Sequence, residues 1–224
     1  MDPKKILILT ALDLEARALR AVMIDDRGIG MEDRPADFGF SILCRQSSII
    51  GPTAIGMRAS RLPLLDSPKD IAIVMLCGLA GALNPELAMG DVVIDDRDNV
   101  VPADVPIRRG VIHTATEIVS TPFAKAELFR RTHADAVDME QAIVREWCDR
   151  RGIPLIGVRA ISDTASETLN PAIAGFVDDL GRPRPIQLAM ALLRQPALIP
   201  ELKQLNRASK FALMQLSAAI KLLK

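Results

Sequence analysis

Apolar positions along this chain fall into short continuous runs and helical stripes, and the two alternate. Residues 5–10 (KILILT) are continuous and β-rich, as expected of a strand buried on both faces. Residues 12–23 then place Leu12, Ala16, Leu19 and Val22 on one helical face. Residues 25–37 are charged and contain Gly, which predicts a loop. Residues 40–44 predict a strand, Ile49-Ile50-Gly51-Pro52 closes another, and 53–65 can be helical. The run 71–77 (IAIVMLC) is the strongest central-strand signal, and Gly78-Leu79-Ala80-Gly81 after it reads as a tight turn. Gly90-Asp91-Val92-Val93-Ile94 begins a further strand. Residues 99–116 are irregular, and Thr121-Pro122 opens a helix through Arg131. Glu140 starts a helical pattern that runs to Arg151. A short apolar strand at 154–158 follows, with Ser162 and Asp163 just past its end. The alternation predicts an α/β fold, a mixed or parallel central sheet flanked by helices.

The last stretch differs in character. Residues 185–194 and 200–223 predict two helices separated by Gln195-Pro196. In the second, Leu202, Leu205, Ala212, Leu216, Ile220 and Leu223 recur near helical spacing, with Lys203, Arg207, Lys210 and Lys221 mostly off the stripe. The chain is electrically neutral as a whole, yet residues 181–224 carry eight basic residues against one acid, Glu201. We therefore divide the chain into a body, 1–180, and a basic amphipathic helical tail, 181–224, packed on it or extending from it. A helix of this kind most often packs on its own domain or a second subunit, and less often on a membrane.

With 224 residues the chain is long enough for one large α/β domain. Cys44, Cys77 and Cys148 are scattered, with no C-x-x-C and no His nearby, which predicts reduced thiols and no metal site. No apolar run reaches membrane-spanning length, and the N-terminal run is too short for a signal peptide, so a cytoplasmic protein is expected. Tyr is absent and Trp147 is the only Trp, which leaves few stacking platforms for nucleic acid. His113 and His133 sit in polar surroundings and read as surface residues.

Three acids stand next to strand ends. Glu15 follows the first strand, Glu140 opens a helix, and Asp163, beside Ser162, follows the late strand. Ligands of open α/β sheets sit at the carboxyl ends of strands, so these groups can converge on one cleft. Breaking a purine–ribose bond requires an acid for the departing base, a carboxylate facing the sugar and an aligned nucleophile. A carboxylate can also accept two neighbouring ribose hydroxyls. Taken singly, the three acids read as a surface helix residue, a helix N-terminal acid and a turn residue.

Together, Glu15, Met139-Glu140 and Ser162-Asp163 resemble the purine nucleoside phosphorylase / methylthioadenosine nucleosidase superfamily. The resemblance covers roughly residues 4–166 and implies a nucleoside phosphorylase-like mixed β-sheet flanked by helices. It implies that Asp163, oriented by Ser162, protonates the purine, that Met139 and Glu140 hold the ribose, and that Glu15 positions an attacking water. Phe123 is the candidate for stacking on the base. Gly78, Leu79 and Arg58 are candidates for an anion or nucleophile site, although Leu stands where phosphorylases place polar phosphate ligands. No metal or organic cofactor is implied, and adenine is released either by hydrolysis or by phosphorolysis with inorganic phosphate as co-substrate. Within the superfamily, Gly-Leu-Ala-Gly, Ala-Asp-Ala-Val-Asp-Met-Glu and the basic tail after Gly-Arg-Pro look like the hopanoid-associated phosphorylase, which implies adenosylhopane as substrate. The resemblance also implies a homo-oligomer, a lipid-linked nucleoside as ligand, and peripheral contact of the tail with the inner membrane face. Two rivals remain: a methylthioadenosine/adenosylhomocysteine-type nucleosidase, and a non-catalytic purine-binding protein on the same fold. A nucleic-acid role for the tail is disfavoured by the scarce aromatics and neutral total charge.

Overall fold

The computed structural model describes residues 4–10, 15, 18–19, 40–46, 71–170, 192, 195 and 198–223. Within them run β1 (Lys4–Thr10), β2 (Phe40–Gln46), β3 (Ile71–Ala82), β4 (Val92–Asp95), β5 (Arg108–Arg109) and β6 (Ile112–Thr114). They are followed by α1 (Pro122–Thr132), β7 (Ala136–Asp138), α2 (Gln141–Asp149), β8 (Leu155–Asp163) and α3 (Leu198–Leu222). The expected strand at 49–52, the helix at 53–65 and Arg58 lie outside the described residues. Glu15, Ala18 and Leu19 are helical, as the first stripe predicts.

The strands form one mixed sheet in the order β2-β1-β3-β8-β4-β5, and β7 joins β3 and β6 off that path. β1, β2, β3 and β8 pair in parallel, whereas β4 runs antiparallel to β8 and β7 antiparallel to β3. Alternate side chains of the central strands supply the cores of the two faces. Ile8, Met75, Cys77, Ile156 and Val158 pack with Ala212, Leu213, Leu216 and Ile220 of α3. Leu7, Leu9, Val74, Leu76 and Leu155 pack with Val144, Trp147 and Cys148 of α2. Burial on both faces explains why these strands read as continuous apolar runs.

Three sequence expectations are corrected. Gly78-Leu79-Ala80-Gly81 is not a turn but the continuation of β3, which extends five residues beyond Cys77. Ser162 and Asp163 do not follow a short strand. They are the last two residues of β8, which begins at Leu155. The irregular stretch 99–116 contains the short strands β5 and β6. β7, three residues long, was not foreseen at all.

The tail helix packs against the sheet. Leu198, Ala208, Ala212, Leu213, Leu216, Ala219 and Ile220 are buried, while Lys203, Arg207, Lys210 and Lys221 face solvent. The outer surface of α3 also exposes Ile199, Phe211, Met214 and Leu222. Among the described residues no helix is long and apolar enough to cross a membrane.

Candidate active site

The ends of β3, β7 and β8 meet at one level. Gly81 pairs with Val137 on one side and with Asp163 on the other. β7 and β8 thus flank β3 on opposite sides, and a side chain of β8, Arg159, reaches across to Asp138 at the end of β7. The glycines of β3 make this level usable. A Cβ on Gly81 would lie 2.9 Å from Asp163 Oδ2, and one on Gly78 would lie 2.8 Å from Glu15 Oε1. Glycine within a strand marks such a close approach.

All three sequence-predicted carboxylates are buried: Glu15 (2 % exposed), Asp163 (6 %) and Glu140 (9 %). Glu15 Oε1 accepts the backbone N–H of Leu79 at 2.9 Å. Asp163 Oδ1 accepts from Ser162 Oγ at 2.9 Å, the contact expected from their adjacency. Glu140 occupies the N-cap position of α2 without making a side-chain cap bond. That service falls to Asp138, whose Oδ2 accepts from the Gln141 N–H at 3.0 Å. Glu140 instead accepts the Met139 N–H on Oε2 at 3.3 Å, and its burial sets aside the solvated helix-terminus reading.

Two cations missed at the sequence level organise these acids. Arg159 of β8 is fully buried, and its guanidinium donates to Asp138 Oδ2 and, at 2.8 Å, to the Leu76 carbonyl. Burial alone would lower its pKa. Attraction to Asp138, Glu140 and Glu15 outweighs that and raises it. Lys125 of α1, also fully buried, donates to Asp163 Oδ2 at 2.6 Å. The signal for Arg159 was present in the sequence, since an arginine inside an apolar strand run requires a buried counter-ion.

Phe123 is not brought to the cleft. Its ring is 83 % exposed, because it lies two residues before the inward-pointing Lys125 and so on the outer side of α1. A pocket of about 120 Å³ does open beside Asp163. It is lined by Met89, Ser162, Glu167 and Leu169 and by Gln204, Leu205 and Ala208 of α3. Met139 is half-buried next to Glu140. At Leu79, the anion-site candidate, the backbone N–H is already given to a carboxylate. Among the described residues no group of three His, Cys, Asp or Glu side chains is placed to hold a metal ion.

Burial pushes the Glu140 carboxyl up to about 7. Asp138 and Glu15 add to the rise and Arg159 opposes it. The folded protein thus holds a proton there that the unfolded chain, near 4.5, has released. This contribution to stability is complete below pH 4.5, declines as pH rises and is lost above about 7. We expect Glu140→Gln to remove this decline. Urea unfolding of both proteins from pH 4.5 to 8 checks it, and parallel stability profiles would refute it.

Comparison with known proteins bears on the fold. Residues 95–194 match the family model of the Phosphorylase superfamily. That segment holds Lys125, Asp138, Glu140, Arg159 and Asp163. An aminodeoxyfutalosine nucleosidase of Campylobacter jejuni is 28 % identical over 130 residues, which is 42 % of this chain and 57 % of that protein. The chain thus matches little more than half the length of this curated relative. Two solved Helicobacter pylori structures align over nearly the whole chain: a futalosine hydrolase, and a 5′-methylthioadenosine/S-adenosyl homocysteine nucleosidase in complex with a pyrrolidine ligand. Each has a TM-score of 0.65 at 17 % identity and covers 99 % of this chain and 97 % of its own. The fold is the mixed α/β fold of those nucleosidases.

Proposed function

We propose that this protein is an enzyme that hydrolyses the N-glycosidic bond of an adenine nucleoside. The observation that carries this reading is a set of three buried carboxylates at this end of the sheet: Asp163, bonded to Ser162 and against Gly81, and Glu15, against Gly78 and near enough to Glu140 to interact with it. Asp163 passes a proton to N7 of the base while the C1′–N9 electron pair leaves with it. Glu140, flanked by Met139, accepts the ribose hydroxyls. Glu15, fixed by the Leu79 N–H, aligns a water whose oxygen bonds to C1′ and takes up its proton. Carboxylates around the sugar also stabilise the positive charge that develops on it.

Water is favoured over phosphate by electrostatics. A phosphate near Leu79 would meet the Glu15 carboxylate on the N–H it needs, with Glu140 close enough to interact with Glu15. Anion sites require open donors or positive charge.

The finer substrate assignment rests on the resemblance to the hopanoid-associated phosphorylase, and we infer a lipid-linked adenine nucleoside, adenosylhopane. The outer face of α3 supports that reading, because Ile199, Phe211, Met214 and Leu222 stand exposed among Lys203, Arg207, Lys210 and Lys221, a composition suited to an anionic membrane surface. Aminodeoxyfutalosine and methylthioadenosine are the rivals that the relatives' names supply. A homo-oligomer remains part of the proposal.

The test is adenine release from adenosine, methylthioadenosine, aminodeoxyfutalosine and a 5′-alkyl adenosine, each with and without phosphate. We expect release without phosphate, fastest for the 5′-alkyl compound. Release only with phosphate would overturn the hydrolytic assignment, and adenine binding without turnover of any substrate would overturn the enzymatic one.

A further inference from the structure

Lys125 is an unusual lysine. It is the most buried residue of α1, and its ammonium is spent on three acceptors: Asp163 Oδ2 at 2.6 Å, the Thr164 carbonyl at 2.7 Å and the Glu167 carbonyl at 3.1 Å. An ammonium has three protons and no acceptor, so all of its capacity is used here. Burying such a group costs several kcal/mol unless it is paired and hydrogen-bonded, by rough estimate. Surface lysines do not acquire this arrangement by chance packing.

We propose that Lys125 is a positioning residue for proton delivery by Asp163, an inference that rests on the nucleosidase reading above. An oxygen that faces a pure donor at 2.6 Å acts as an acceptor, so the transferable proton cannot reside on Oδ2. When the Asp163 carboxylate, paired with Lys125 in the free enzyme, takes up from solvent the proton it will deliver, that proton resides on Oδ1, the oxygen shared with the Ser162 hydroxyl, which can either donate or accept. The two neighbours thus give the carboxyl a fixed orientation and a single donating oxygen. As the proton moves from Oδ1 to the base, Asp163 becomes a carboxylate, and the ammonium already at Oδ2 stabilises the charge without rearrangement. The same ammonium ties down the carbonyls of Thr164 and Glu167, and Glu167 lines the pocket beside Asp163. One side chain therefore orients the acid and holds the wall against which the base would lie.

The experiment compares wild type, Lys125→Met and Lys125→Arg on two substrates. One is the adenine nucleoside that wild type turns over fastest. The other is 4-nitrophenyl β-ribofuranoside, whose leaving group departs without a proton. For Lys125→Met we expect kcat for adenine release to fall about 100-fold, the scale of general-acid catalysis, with KM changed less than about threefold. Release of 4-nitrophenol should fall less than about threefold. Lys125→Arg, which keeps the charge, should recover part of the adenine-releasing activity, and it carries the test if the Met variant does not fold. Equal losses on both substrates would reduce Lys125 to a structural role, and so would a Lys125→Arg variant no better than Lys125→Met. Undiminished adenine release would overturn the inference outright. A wild type that releases no adenine would instead overturn the reading on which the inference stands.

Discussion

Asp163→Asn should lower adenine release by about a thousandfold while 4-nitrophenol release from the riboside persists. The amide retains an oxygen for Lys125 and a group for Ser162, so the geometry around β8 survives. What it lacks is the proton for the departing base. The substitution is not neutral for stability, because it leaves the buried ammonium of Lys125 facing an uncharged amide. Breaking a buried pair from one side costs about 3–5 kcal/mol, and we expect a loss toward the lower end because the amide oxygen still accepts. Adding Lys125→Met should recover much of that stability and none of the activity. Urea unfolding and adenine release, measured on the wild type, both single variants and the double variant, separate the two effects. If Asp163→Asn released adenine at the wild-type rate, the assignment of the acid would be wrong. If it were as stable as wild type, the Lys125–Asp163 pair would carry no stability.

Arg159→Met should be the most destabilising single change in the site. One fully buried guanidinium serves Asp138 directly and draws on Glu140 and Glu15. Without it three buried carboxyls share a space with no cation among the three, and the Leu76 carbonyl loses its donor. The expected cost is about 3–5 kcal/mol near pH 8. The pH dependence gives the cause away. Arg159 is what holds the Glu140 carboxyl down, so its removal drives that group further above about 7. Stability gained by protonating such an acid is present at low pH and lost as pH rises through its folded value. The gap between Arg159→Met and wild type should therefore be widest at pH 8 and narrow toward pH 5. A gap that does not change with pH would show that lost packing, not charge, is responsible.

The sequence made legible those parts of the fold that rest on periodicity. β1, β4, α1, α2 and α3 begin and end within a few residues of the apolar patterns that predict them. The extension of β3 was hidden because Gly78 and Gly81 carry the local signature of a turn. Only the long-range approach of Glu15 and Asp163 explains them as strand glycines. β7 is too short to show any period. At the site, the acidic members were visible through their order and their places next to strand ends. Arg159 was visible as a charge out of pattern, although it was given no role. Lys125 was not legible, because nothing in PFAKAELF distinguishes a lysine turned inward from one turned out. Phe123 was misjudged for the complementary reason: local sequence does not say which side of α1 meets the sheet.

Lys125, Asp138, Glu140, Arg159, Ser162 and Asp163 all lie within a single stretch of about forty residues, whereas Glu15 comes from the far end of the chain. The parts proposed to grip the sugar and release the base are therefore inherited together, on contiguous genetic material. The part proposed to present the nucleophile varies separately. A lineage could exchange one attacking group for another by altering its N-terminal half while keeping the leaving-group apparatus intact. Recombination near residue 100 would join old and new halves without separating Lys125 from Asp163 or Arg159 from Asp138.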